Sequence, residues 1–157
     1  MSSKVAWGIS AGGGVPGCAG AAGSAQPRPS PVQGFPPWIA LPGAREKTTP
    51  ASRLSPADAL PELRSDGVSV RVIIGAAHGC ESPVTAYSPT LYLECGLPAG
   101  TRYALPDDTA ERAVYVVSGR VAIGAATHES GVMAVACPGK PVVVEARADS
   151  RIMVIGG

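Results

Sequence analysis

Asp107, Asp108, Glu111 and Arg112 stand close together in this chain, with Tyr103 a short way upstream. Grouped carboxylates suit metal ligation or proton transfer, whereas an arginine near a phenol suits an anion or a phenolic ligand. A transition-metal ion needs several imidazole or carboxylate donors converging on one point. The two histidines, His78 and His128, are far apart, each in an expected loop, where an isolated histidine is ordinarily a solvated surface group. No nucleophile or oxyanion donor is identifiable beside the acidic group. Two readings therefore stand. One is a solvated loop with a surface ion pair, which contributes little to stability. The other is a small polar pocket in which Tyr103, Asp108 and Arg112 take an anion or a phenol.

The elements that must position these residues read mostly as strands. Val68 to Ile74 alternates, with Ser69 and Arg71 outward, the pattern of a half-buried strand. Thr90 to Cys95, Ala113 to Ser118, Arg120 to Ile123, Val132 to Ala136, Val142 to Glu145 and Ile152 to Ile155 complete the set. Gly75, Gly79 and Pro83 punctuate the runs, and Ser118-Gly119 reads as a tight hairpin turn. Trp38 to Leu41 is short and extended between prolines. Ser55, Pro56 and Asp58 give a helix start that Pro61 limits to a turn or two. Short strands at regular spacing predict an all-β sandwich or barrel.

Spacing then makes the acidic cluster more specific. The pattern G-x5-H-x-H-x3-E-x6-G laid on Gly100 and Gly119 puts Pro106, Asp108 and Arg112 at the three ligand positions. A second pattern, G-x5-P-x-G-x2-H-x3-N, begins at Gly131 and meets Gly139, with Val142 at the fourth ligand position and Cys137 and Ala146 at the others. These frames resemble the two metal motifs of cupins with the ligands replaced. Four ordered segments narrow the resemblance to the pirins: Gly34 to Pro42 (GFPPWIALP), Asp66 to Gly75 (DGVSVRVIIG), Ser82 to Val84, and Pro89 to Pro98 (PTLYLECGLP). An ordered series of this kind is far more specific than any one short motif.

The resemblance implies a bicupin whose N-terminal barrel binds iron and whose C-terminal barrel has lost its ligands. It places residues 1–33 before the C-terminal barrel, 34–66 as linker and junction, and 67–157 as the C-terminal cupin-like domain. The expected fold is a single incomplete RmlC-like jelly roll with a disordered N-terminal segment. Residues 1–33 are rich in Gly, Ala, Ser and Pro, a composition that buries too little apolar area to offset ordering. Ser10 to Val15 after Trp7 also resembles part of the last strand of a pirin N-terminal barrel, in which case Gly17, Cys18 and Ala19 stand at its ligand positions. The barrel face and edge left uncovered are expected to promote self-association or to take a protein partner.

Composition excludes several function classes. Thirteen basic and 12 acidic residues give a net charge of +1, scattered too evenly for direct nucleic-acid binding. With 45% hydrophobic but only 4% aromatic residues, the core must be aliphatic. No apolar run reaches the roughly 18 residues of a membrane span. Cys18, Cys80, Cys95 and Cys137 are widely spaced, without a C-x-x-C pair. Cys95 and Cys137 fall in strand-like runs and read as small buried hydrophobes. Val15 to Cys18 resembles a lipoprotein signal anchored at Cys18, but its apolar region is short and broken by glycines. A cytoplasmic protein with reduced thiols is the expectation.

Three functional readings follow. The chain is a non-catalytic pirin-like module without metal or other cofactor, or a truncated remnant of a bicupin. Alternatively, it is an iron-dependent quercetin 2,3-dioxygenase of the kind the family implies, a reading for which no donor set is present. Pirins are also described as redox-sensitive regulators that contact transcription factors or metabolic enzymes. The third reading is an incomplete or frame-shifted gene product.

Overall fold

Strands account for nearly all the regular structure, as a composition rich in β-branched residues dictates. The structure, a computed structural model, describes residues 6–11, 35–49 and 51–157. The chain divides into two units, Met1–Ala57 and Asp58–Gly157. In the first, β1 (Ala6–Ala11) pairs antiparallel with β2 (Ala51–Pro56). Within the segment expected to be disordered, Ala6–Ala11 is therefore a strand, its backbone groups satisfied by a partner distant in sequence. The rest of residues 1–33, including Cys18 and the ligand-like positions around it, lies outside the described residues. Trp38 to Leu41 forms no strand; Pro36, Pro37 and Pro42 each remove a backbone donor. The helix expected after Ser55 is only a 3-10 turn, Ala57–Ala59, because Ser55 and Pro56 are drawn into β2.

The second unit begins with β3 (Glu62–Ser65), β4 (Val68–Ile74), β5 (Ala76–Ala77), β6 (Cys80–Glu81) and β7 (Leu91–Leu97). It continues with β8 (Arg102–Ala104), β9 (Arg112–Ser118), β10 (Arg120–Ile123) and β11 (Ala126–Glu129). It ends with β12 (Met133–Val135), β13 (Val143–Ala146) and β14 (Ser150–Gly156). A six-stranded sheet runs β12-β9-β14-β7-β4-β3 and a four-stranded sheet β11-β10-β13-β8, with β5 and β6 as a separate hairpin. Every pairing is antiparallel.

The inward faces of the two sheets meet in one aliphatic core. Val72, Leu93, Val116, Ile152 and Val154 from the larger sheet pack with Val121, Val144 and Ala146 from the smaller. Strand periodicity places these residues on one face of each sheet. Register reinforces the packing, since Val154 stands between Leu93 on β7 and Val114 on β9. The fold is an all-β jelly roll: the strand pattern predicts the all-β class, and the resemblance to cupins implies the jelly roll.

Ser118-Gly119 is not a hairpin turn. It passes the chain from β9 in one sheet to β10 in the other. Gly119 has φ +82°, and a Cβ there would run into the carbonyl oxygen of Asp149 and into Ser150. Glycine thus marks a sheet crossover, chemistry that a local turn signal cannot distinguish from a hairpin. A two-residue hairpin loop does lie at Asp66-Gly67, which joins β3 to β4 with φ of 50° and 81°, the type I′ geometry that an Asp-Gly pair favours. Cys137 lies beyond β12 and is exposed, contrary to the expectation for it; Cys95 is buried as expected.

Candidate functional site

Arg112 opens β9 on the same face as Val114 and Val116, and this inward register buries it. Only 3% of the residue is exposed. Its Nη1 donates to the Pro106 carbonyl at 2.8 Å and its Nη2 to the Lys140 carbonyl at 2.7 Å. The guanidinium therefore joins the β8–β9 connection to the β12–β13 connection. No surface ion pair of the expected kind forms, because the side chain turns inward and bonds to backbone carbonyls.

These two connections border a cleft of about 440 Å³ lined by Asp107, Asp108, Thr109, Arg112 and Lys140, with the backbone at Gly139 beside them. Asp107, Asp108 and Lys140 are exposed. The Nε of Arg112 and the Oγ1 of Thr109 are covered and have no hydrogen-bond partner. Lys140 and Thr109 were absent from the sequence-based site. The frame glycine Gly139 was the available signal for Lys140, because it fixes the loop that meets the β8–β9 connection.

Tyr103 does not line this cleft. It points inward from β8, opposite Val144, and its Oη lies 2.9 Å from His78 Nε2. The structure brings Asp108 and Arg112 together and directs Tyr103 elsewhere. His78, expected as a solvated loop residue, is exposed but tied to this phenol across its loop. Burial pushes the Cys95 thiol up to about 12, only partly offset by the neighbouring Tyr103 hydroxyl; burial, then the neighbouring thiol, raises Tyr103. At neutral pH the thiol stays protonated, which leaves it a poor nucleophile.

A larger cavity of about 550 Å³ is lined by hydroxyls including Ser82, Ser88 and Thr90, with Glu81 the one charged side chain. Its most buried hydroxyl is committed to the backbone: Ser82 Oγ donates to the Ile73 carbonyl at 2.6 Å and accepts from Val84 N–H at 3.2 Å.

Residues 92–157 match the family described as the Pirin C-terminal cupin domain. The chain is also 37% identical over 128 residues to a pirin-like protein of Caulobacter vibrioides, covering 80% of this chain and 44% of that protein. It belongs to the pirin family. Human pirin is 33% identical over 95 residues, 60% of this chain and 33% of that protein. The chain thus spans less than half the length of these pirins. Among solved structures, a quercetin 2,3-dioxygenase from Acinetobacter baumannii superposes with a TM-score of 0.69 at 24% identity, covering 76% of this chain and 43% of that one. The protein GK1651 of Geobacillus kaustophilus gives 0.67 at 23% identity, covering 76% and 51%. These likenesses establish the cupin fold of the chain.

Pirin relatives and quercetin dioxygenase neighbours imply a metal-using family, and the four frame positions of this barrel test that implication. Pro106 and Val142 are buried and carry no donor side chain, Arg112 is a buried cation, and Asp108 is exposed. Among the described residues, no group of three His, Cys, Asp or Glu side chains is placed to hold a metal ion. The residues at this pirin site do not fit iron, and no metal-dependent step is derived for them. Among the described residues, no helix is long and apolar enough to cross a membrane.

Proposed function

We propose that this chain acts as a non-catalytic pirin-like module, a structural or interaction domain with no oxidative chemistry at its cupin cleft. The observation that carries this reading is the Arg112 guanidinium, locked by the Pro106 and Lys140 carbonyls at a frame position where a cupin would hold a metal ligand. A fixed positive charge there opposes a divalent cation, and its donors cannot ligate one. An interaction role draws support from β12, an edge strand on which Met133 and Val135 are exposed. An edge of this kind can pair with a second copy of the chain. A reducing, cytoplasmic setting accords with the free thiols of Cys80, Cys95 and Cys137.

The second reading, a quercetin 2,3-dioxygenase-type oxidoreductase, rests on the names of structural neighbours and on the family. Metal analysis of the purified chain separates the two, together with oxygen uptake in the presence of quercetin. Substoichiometric iron and no flavonol-dependent uptake are expected. One iron per chain with such uptake would overturn the module reading.

A further inference from the structure

We propose that the cleft over Arg112 is a binding site for an oxyanion, the carboxylate or phosphate group of a small ligand, held by the unspent guanidinium donors and by Lys140. A guanidinium has five N–H donors. Pro106 and Lys140 carbonyls engage one N–H on each of Nη1 and Nη2, and Nε is covered, so the donors left for a ligand are the second N–H of each Nη. Among the described residues, no carboxylate lies within ion-pair reach of Arg112.

Carbonyl dipoles satisfy individual N–H groups but bring no net negative charge. Arg112, only 3% exposed, therefore keeps a buried cation with no carboxylate in direct contact, an arrangement that proteins ordinarily pair. An oxyanion supplies both the missing charge and the missing acceptors, and the planar fork suits two oxygens at once. At about 440 Å³ the cleft lies within the common range of about 300–1,000 Å³ for small-molecule sites. Lys140 adds a second positive charge at the opening.

Asp107 and Asp108 line the same cleft and oppose an anion. Both are exposed, so water and salt screen them, whereas the buried guanidinium is screened much less. Their effect is to disfavour anions of high charge and to weaken affinity, which fixes the sign of a substitution there. Removing the charge of Asp108 must strengthen binding, and removing that of Lys140 must weaken it.

The proposal rests on the reading of this cleft as metal-free, and the two can fail separately: iron uptake refutes that reading, while anion titration scores the site itself. The test is calorimetric titration of the full chain at fixed ionic strength with inorganic phosphate and, separately, with acetate. One saturable site is expected, and the stronger of the two anions identifies the preferred group. Asp108→Asn should tighten binding by about 3-fold to 10-fold and Lys140→Ala weaken it similarly. Arg112→Lys, which keeps charge but loses the fork, should weaken it about 10-fold or more. Should the Arg112 variant fail to fold, the two exposed positions decide. No saturable binding to either anion, or an affinity indifferent to both Asp108 and Lys140, would overturn the proposal.

Discussion

Arginines on the outward face of the six-stranded sheet and the arginine at the mouth of the core handle the same charge in opposite ways. On the sheet, Arg71 of β4 sits between Glu62 of β3 and Glu94 of β7, with contacts of 2.6 and 3.2 Å. Arg151 of β14 donates to Glu94 at 2.8 Å. The ladder follows from register, since Glu62 and Glu94 stand directly across from Arg71 on its two neighbouring strands, where cross-strand pairs interact best. Arg112 is more deeply buried and meets only carbonyl oxygens. Each arginine of the ladder has a carboxylate in direct contact, while the arginine of the cleft joins two loops through carbonyls and has none. Arginine type alone therefore tells little about function; the informative quantity is burial set against available counter-charge.

The largest effect expected from breaking that contrast is at the cleft. Arg112→Met deprives the Pro106 and Lys140 carbonyls of their donors; the buried Pro106 acceptor costs about 1–3 kcal/mol when left unsatisfied, and the part-buried Lys140 acceptor costs less. Relief of the buried charge offsets part of that cost. A net loss of about 2 kcal/mol is expected, read as a lower urea midpoint without a change in slope.

Within the ladder, Glu94→Gln removes the charge shared by Arg71 and Arg151. Glu94 is only 14% exposed, so the cost should exceed that of a fully exposed pair, at about 1 kcal/mol. A double-mutant cycle with Arg71→Gln should give a smaller loss than the sum of the single changes. Strict additivity would show that the ladder is not a coupled unit.

The smallest effect concerns acid. The hydrogen bond from Arg71 holds Glu62 below its ordinary value, against the opposing effect of burial, with Arg64 adding to the lowering. A carboxyl depressed in the folded state contributes stability that is complete above its unfolded value and lost as pH falls through the folded one. Glu62→Gln should therefore cost a few tenths of a kcal/mol at neutral pH, after allowance for solvent screening. The difference from the native chain should shrink as pH falls through the lowered folded-state value of Glu62 and vanish below it. Denaturation measured across pH for both proteins checks this, and a gap that widens in acid would contradict it.

Legibility in the sequence followed locality. Val68–Ile74 emerges with the bounds that alternation predicts, because period-two burial is written into adjacent residues, and Arg120–Ile123 also emerges with its expected bounds. The short polar strands β3, β8 and β11 escaped, since three or four residues with few apolar side chains carry little periodicity. The Ser118-Gly119 step misled because a turn signal says nothing about which sheet receives the next strand. At the site, Asp108 and Arg112 were found together as neighbours in one connection. Tyr103 was grouped with them by proximity in sequence, but the inward face of β8 directs it to His78 and Cys95. Lys140 was missed because its role depends on a contact made by its backbone oxygen to a distant side chain, which leaves no mark on residue type.

The crossover at Gly119 has a mechanical consequence. Immediately after it, the Arg120 N–H donates to Ser150 Oγ at 3.0 Å, and that hydroxyl in turn donates to the Ala148 carbonyl at 2.7 Å. A single glycine and one serine thus couple the start of β10 in one layer to the start of β14 in the other, with no slack between them. The join works as a rivet rather than a hinge: the layers cannot slide past each other without first breaking it.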